Sequence, residues 1–140
     1  MEIRVINQKL ESLRRCVQRI EEKHPIEPSA LVTNFDIQDI ISVNIERAVQ
    51  QCVDIAAHIA ADFDDVAGQS AASLFDDLAA KRFISTDVAS RLGKAAGFRN
   101  LLVHRYASIN WERVHSYIDK DLGVFREFAA AIVQATGAKG

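Results

Sequence analysis

Apolar residues return every three or four positions along most of this chain. The first run is Ile3, Ile6, Leu10, Leu13, Val17 and Ile20, and the second is Ile37, Ile41, Ile45, Ala48, Cys52, Ile55 and Ile59. A last run comprises Trp111, Val114, Ile118, Leu122, Phe125, Phe128 and Ile132. That spacing lines one face of a helix, whereas a half-buried strand would alternate every second residue. No stretch alternates in that way. With only 6 glycines and 2 prolines among 140 residues, the chain has few places to turn, so its elements must be few and long. The length suits one domain, residues 1–140, able to bury its own core. The expectation is an all-α, up-and-down bundle of four to five helices.

The breaks are equally readable. His24-Pro25-Ile26-Glu27-Pro28 stops the first helix, because prolines so close together cannot continue it, and residues 24–33 read as a loop. Thr33 then reads as the N-cap of a second helix over about residues 34–62. Asp62-Phe63-Asp64-Asp65 leads to a turn at Gly68, and a short helix follows from about residue 70 to 81. Ser85 or Thr86 caps the next helix, with Val88, Leu92 and Ala95 inward, and Gly97 either loosens its end or permits close packing. One final helix begins after Asn110, with Trp111 as its anchor.

Composition removes several classes of function. Hydrophobic residues make up 49% and charged residues 26%, the balance of a globular chain rather than a disordered one. No run approaches the roughly 20 apolar residues that span a bilayer, and Met1-Glu2-Ile3-Arg4 does not begin a signal peptide. Cys16 and Cys52 fall within helical apolar patterns and read as buried free thiols, which fits a reducing cytoplasm. The four histidines lack His-x3-His spacing, neither cysteine has a near partner, and no glycine-rich phosphate loop occurs. Neither a metal nor a nucleotide cofactor is expected. His115, one step from Val114, reads as a rim residue.

Charge is unevenly spread. Residues 81–106 hold Lys81, Arg82, Arg91, Lys94, Arg99 and Arg105 against one acid, Asp87. Six cations and one anion give that stretch +5, so the rest of a chain of net charge −2 carries −7. One end of the molecule can attract phosphate although the whole is acidic. The second helix adds a polar stripe of Asn44, Arg47, Gln51, Asp54 and His58, offset by one residue from its apolar face. About 100° separates the two rows, so the stripe borders the core. It is either a solvent edge or the wall of a groove.

The segment Gly97-Phe98-Arg99-Asn100-Leu101-Leu102-Val103-His104-Arg105-Tyr106 concentrates the chemistry. Leu101, Leu102 and Val103 should pin it to the core. Arginine carries a permanent charge and a planar fork of donors suited to phosphate. Histidine passes protons near neutrality. Together they supply what RNA cleavage needs without a metal: a group to move protons, and a cation to hold the charged phosphate under attack. Five residues on a regular helix nevertheless separate the pair by about 140°. Either the helix is irregular there or a second subunit completes the site.

Arg99-Asn100, three apolar residues, then His104-Arg105-Tyr106 resembles the Arg-Asn-(x)3-His-x-Tyr signature of HEPN-domain toxins of the HepT branch. The stretch from Asn44 to Ile59 is similar to that family's second helix, and Phe83-Ile84 ahead of a capped helix also matches. The resemblance covers nearly the whole chain and implies a HEPN-like domain acting as a metal-independent endoribonuclease toxin, with two motifs meeting across a homodimer cleft. It makes Arg99 and His104 the catalytic pair and Asn100 a supporting polar residue. Tyr106 becomes the tyrosine that an MntA-type nucleotidyltransferase antitoxin modifies with adenylate. Arg47, Asp54, His58 and Arg105 are candidates to line the cleft. The competing reading is a non-catalytic helical accessory subunit that docks a nucleotidyltransferase, since the same arginines would hold a phosphate that is never cut.

Overall fold

The computed structural model describes residues 1–104 and 106–139, with Tyr106 described through its backbone. Helix α1 (Ile3–Lys23) turns Ile6, Leu10, Leu13, Cys16, Val17 and Ile20 inward, the face that its spacing marks. It stops at His24, whose N–H still reaches the Ile20 carbonyl at 2.8 Å before Pro25 forbids another turn.

Residues 24–33, expected as a loop, contain a short helix, α2 (Pro28–Thr33). Proline opens it at the first helical position, where the missing N–H would have had no partner and the fixed φ is already helical. Asn34, not Thr33, then caps α3 (Phe35–Ala60), its side-chain oxygen accepting the Ile37 N–H at 3.0 Å. The Thr33 hydroxyl instead donates back to the Ser29 carbonyl, also at 3.0 Å. Buried Gln38 donates its amide to the Leu31 and Val32 carbonyls, both at 3.0 Å, satisfying the open end of α2 from within α3.

Helix α4 (Ala71–Ala80) is capped by Ser70, which accepts the Ser73 N–H at 3.1 Å. It ends in a left-handed closure at Arg82 (φ 65°), with Arg82 N–H on the Ala79 carbonyl and Phe83 N–H on the Leu78 carbonyl, both at 3.0 Å. Ser85 caps α5 (Thr86–His104) through the Val88 N–H at 3.0 Å. The helix runs unbroken through Gly97, and a Cβ there would meet nothing within 4 Å, so this glycine serves no close approach. A 3-10 turn, Tyr106–Ser108, leads to Asn110, which caps α6 (Trp111–Asp121). The expected single last helix is divided, because one turn at Leu122 and Gly123 separates α6 from α7 (Val124–Thr136). Among the described residues there is no strand, and no helix is long and apolar enough to cross a membrane.

α1 lies along α3; α5 packs on α4, α3 and α7; α2 packs on α6. The inward faces of α1 to α7 join one apolar cluster. Phe75 of α4 meets Phe128 of α7 edge-on with ring centroids 6.4 Å apart, and both rings are fully buried alongside Phe125. Cys16 and Cys52 are buried free thiols, as expected, and burial pushes both thiol pKa values up. His115 is not on the rim: it is 4% exposed, and its Nε2 donates to the Pro25 carbonyl at 2.7 Å. Trp111 packs against the core, as an anchor should.

Because Phe75 fills the junction of α4 with α7, Phe75→Ala leaves a cavity that a close-packed interior cannot collapse. A loss of about 3–5 kcal/mol is expected in urea unfolding. A loss under about 1 kcal/mol would mean that this junction is not the core of the bundle.

Candidate active site

The last turns of α5 carry the motif. Arg99 is half-buried and leans towards α3, where its Nη1 donates to the Gln50 side-chain oxygen at 3.1 Å. Its Nε donates to the Asn100 side-chain oxygen at 3.2 Å. Gln50 in turn donates its amide to Asp54 at 2.8 Å, and the other Asp54 oxygen accepts from Lys9 of α1 at 2.9 Å. Three helices thus hold one guanidinium in a relay. Both groups that grip Arg99 here are neutral amides, while the carboxylate one step further is partnered by Lys9. Arg99 is oriented without a direct carboxylate partner in this relay, which is the state in which arginine serves a phosphate.

His104 is the last residue of α5 and is exposed. Since α5 is continuous, Arg99 and His104 stay five helical positions apart, about 140° around the axis. The fold of one chain fixes both on one rigid element but points them in different directions. Between them, Leu102 is buried, yet Leu101 is 50% and Val103 45% exposed. The expected three-residue apolar anchor is therefore a single anchor flanked by two surface residues. Beyond them, an open cavity of about 230 Å³ lies between Leu101 and Leu102 on one side and Ile109 and Arg113 on the other.

The remaining candidates separate. Asp54 joins Arg99 through Gln50. Arg47 is exposed and lies with Arg15 and Arg19 of α1 along a groove between α1 and α3. His58 accepts the Glu2 backbone N–H at 3.0 Å and so secures the start of α1. Asn44, the first residue of the stripe, is buried and donates to the Ile40 carbonyl at 2.8 Å. Arg105 and the Tyr106 side chain lie outside the described residues. Gln50 was missed by reading the stripe at Gln51. Its position four residues before Asp54, one helical turn away, is the signal that could have found it.

A helical bundle that presents Arg-Asn-(x)3-His at the end of a core helix defines the class of HEPN-type helical ribonucleases. The model of the family described as ribonuclease HepT-like matches residues 6–132, and the chain belongs to that family. It is 30% identical over 128 residues to the mRNA nuclease HepT of Shewanella oneidensis, covering 91% of this chain and 96% of that protein. Among solved structures, it is similar to the tri-AMPylated Shewanella oneidensis HEPN toxin in complex with its MNT antitoxin. That match has a TM-score of 0.85 and 29% identity, over 96% of this chain and 99% of the other. A toxin–antitoxin structure with AMP-PNP matches with a TM-score of 0.84 and 28% identity, covering 93% and 98%.

If Gln50 holds the guanidinium for phosphate, Gln50→Ala should slow RNA cleavage about tenfold, the worth of one charge-assisted hydrogen bond. The thermal midpoint should stay near that of the unaltered chain, because Gln50 is exposed. Unchanged cleavage kinetics would show that Arg99 needs no hold from α3.

Proposed function

We propose that this chain, as one domain over residues 1–140, is the metal-independent endoribonuclease toxin of a toxin–antitoxin pair, acting in the cytoplasm. The observation that carries this reading is the placement of Arg99, gripped by neutral side chains, on the same rigid helix as an exposed His104. RNA is cut by its own 2′-hydroxyl. The 2′ oxygen bonds to phosphorus, the bond to the 5′ oxygen breaks, and a 2′,3′-cyclic phosphate and a 5′-hydroxyl remain. Arg99 holds the charged phosphate through the transition state. His104 moves the proton, taken from the 2′ oxygen or given to the leaving 5′ oxygen.

The cleft is formed by two copies. Within one chain Arg99 and His104 diverge, and a two-fold axis brings the arginine of one protomer towards the histidine of the other. Leu101 and Val103, apolar and half-exposed within the motif, are the surface that such a partner would cover. Asn100 supports Arg99 within the cleft. Asp54 acts through Gln50, while Arg47 and Arg105 add cationic lining.

The antitoxin is a nucleotidyltransferase of the MntA type that adenylylates Tyr106. Adenylate two residues past His104 adds negative charge and bulk where RNA phosphate must lie. The relatives' complexes with an antitoxin, one of them AMPylated, support this part of the reading.

Purified chain incubated with total RNA in EDTA should yield cyclic-phosphate ends. Arg99→Ala and His104→Ala should each lower the rate at least about 100-fold. Growth arrest on expressing the chain alone should disappear with either substitution, whereas a folded chain causing no arrest would favour the accessory-subunit reading. Leu101→Asp should shift the species in sedimentation equilibrium from dimer to monomer and remove cleavage. A fully active monomer, or toxicity intact with Tyr106 quantitatively modified, contradicts the respective part of the proposal.

A further inference from the structure

A second cluster of reactive side chains gathers where the end of α1 meets α6. His24, His115 and Asp119 each offer one ligand atom, and these three atoms lie within 4.8 Å of one another. His24 Nε2 is 2.7 Å from Asp119 Oδ1, and His115 Nδ1 is 3.3 Å from Asp119 Oδ2. The two imidazole rings pack with centroids 4.1 Å apart.

The tautomers follow from the partners. The Pro25 carbonyl can only accept, so in the neutral ring His115 Nε2 carries the proton and Nδ1 presents a lone pair to Asp119. A carboxylate is also an acceptor, so two lone pairs face each other at 3.3 Å. His24 Nε2 donates to Asp119, which leaves a buried Nδ1 without a hydrogen-bond partner. The protein's own hydrogen bonds leave His115 Nδ1 bare beside a carboxylate and His24 Nδ1 bare in the interior, on side chains only 4% and 14% exposed. A dication would accept the His115 lone pair and pair with the Asp119 carboxylate at once.

We propose that His24, His115 and Asp119 form a binding site for a transition-metal dication of the zinc class, with water completing a tetrahedron. Two nitrogens and one carboxylate oxygen are ligands that zinc accepts. A tetrahedral ion bonded at about 2.0–2.1 Å holds its ligand atoms roughly 3.3 Å apart, close to the His115–Asp119 spacing. His24 ligates through Nε2, so its proton moves to Nδ1 and its 2.7 Å contact with Asp119 opens by about 0.6 Å, at the C-cap of α1. The His115 Nε2–H on the Pro25 carbonyl is the outer hydrogen bond that orients a metal-bound imidazole. Such an ion would staple the α1–α2 link to α6, the helix that follows the motif segment. It stabilises the fold and is separate from RNA cleavage, which is expected to proceed in EDTA.

Full-length protein stripped with EDTA, dialysed and titrated with zinc chloride in a calorimeter should bind one Zn²⁺ per chain, and its melting midpoint should rise. Asp119→Asn and His24→Gln should each weaken that binding at least about 100-fold, with circular dichroism confirming that both variants are folded. Glu112→Gln, exposed on the same helix, should bind like the unaltered chain. Cobalt(II) in place of zinc should give the intense visible bands of a tetrahedral site, absent from Asp119→Asn. Absence of saturable zinc binding, or binding that both ligand variants retain, overturns the proposal.

Discussion

Arg99 is fixed by partners that do not cancel its charge, and the end of α5 is organised around that constraint. A carboxylate in direct contact would orient a guanidinium more firmly, but it would compete with any incoming phosphate. Here Gln50 and Asn100 provide the direct grip, and Asp54 acts through Gln50 with Lys9 as its own counter-ion. The relay needs α1, α3 and α5 side by side. That arrangement is secured by the shared apolar cluster rather than by the polar groups themselves, since exposed pairs of this kind contribute little to stability.

Much of the fold was legible because burial and helical period coincide. The inward faces of α1 and α3 are the residues that the three-four spacing marks, and Ser85 caps α5 as its position suggests. The failures share one cause: each depends on a partner distant in sequence or on an angle that residue type alone does not encode. Pro28 reads as a breaker until it is seen at the first helical position, where it is a starter. Leu101, Leu102 and Val103 read as an anchor, yet three consecutive helical residues sweep about 200° and cannot all face one core. His115 reads as a rim residue, yet it is buried because Pro25 and His24 come to meet it.

The site is less legible than the fold for a related reason. Residue types suggest the chemistry, and the resemblance to the family signature points to Arg99 and His104 as its proposed carriers, but Gln50 emerges only once α3 and α5 are packed together. The polar stripe on α3 likewise looked like one feature and serves several. Asn44 closes on its own helix, His58 secures the chain start, and Asp54 alone of these three joins the Arg99 relay. A row of polar residues along a helix shares a direction only in cross-section. Along its length it meets different neighbours, and each neighbour decides what the side chain does.

The exposure of Leu101 and Val103 follows from the same geometry. A helix that buries Leu102 must turn the residues on either side away from that core, and a lone domain would gain by making them polar. They are apolar, they lie between Arg99 and His104, and the helix bearing them sets those two residues about 140° apart around its axis. The proposed two-fold contact would answer both facts, because the surface hiding the two apolar side chains would also be the one across which one chain's arginine meets the other's histidine. On that proposal burial and chemistry favour the same assembly, and loss of the contact would remove the site along with the partner.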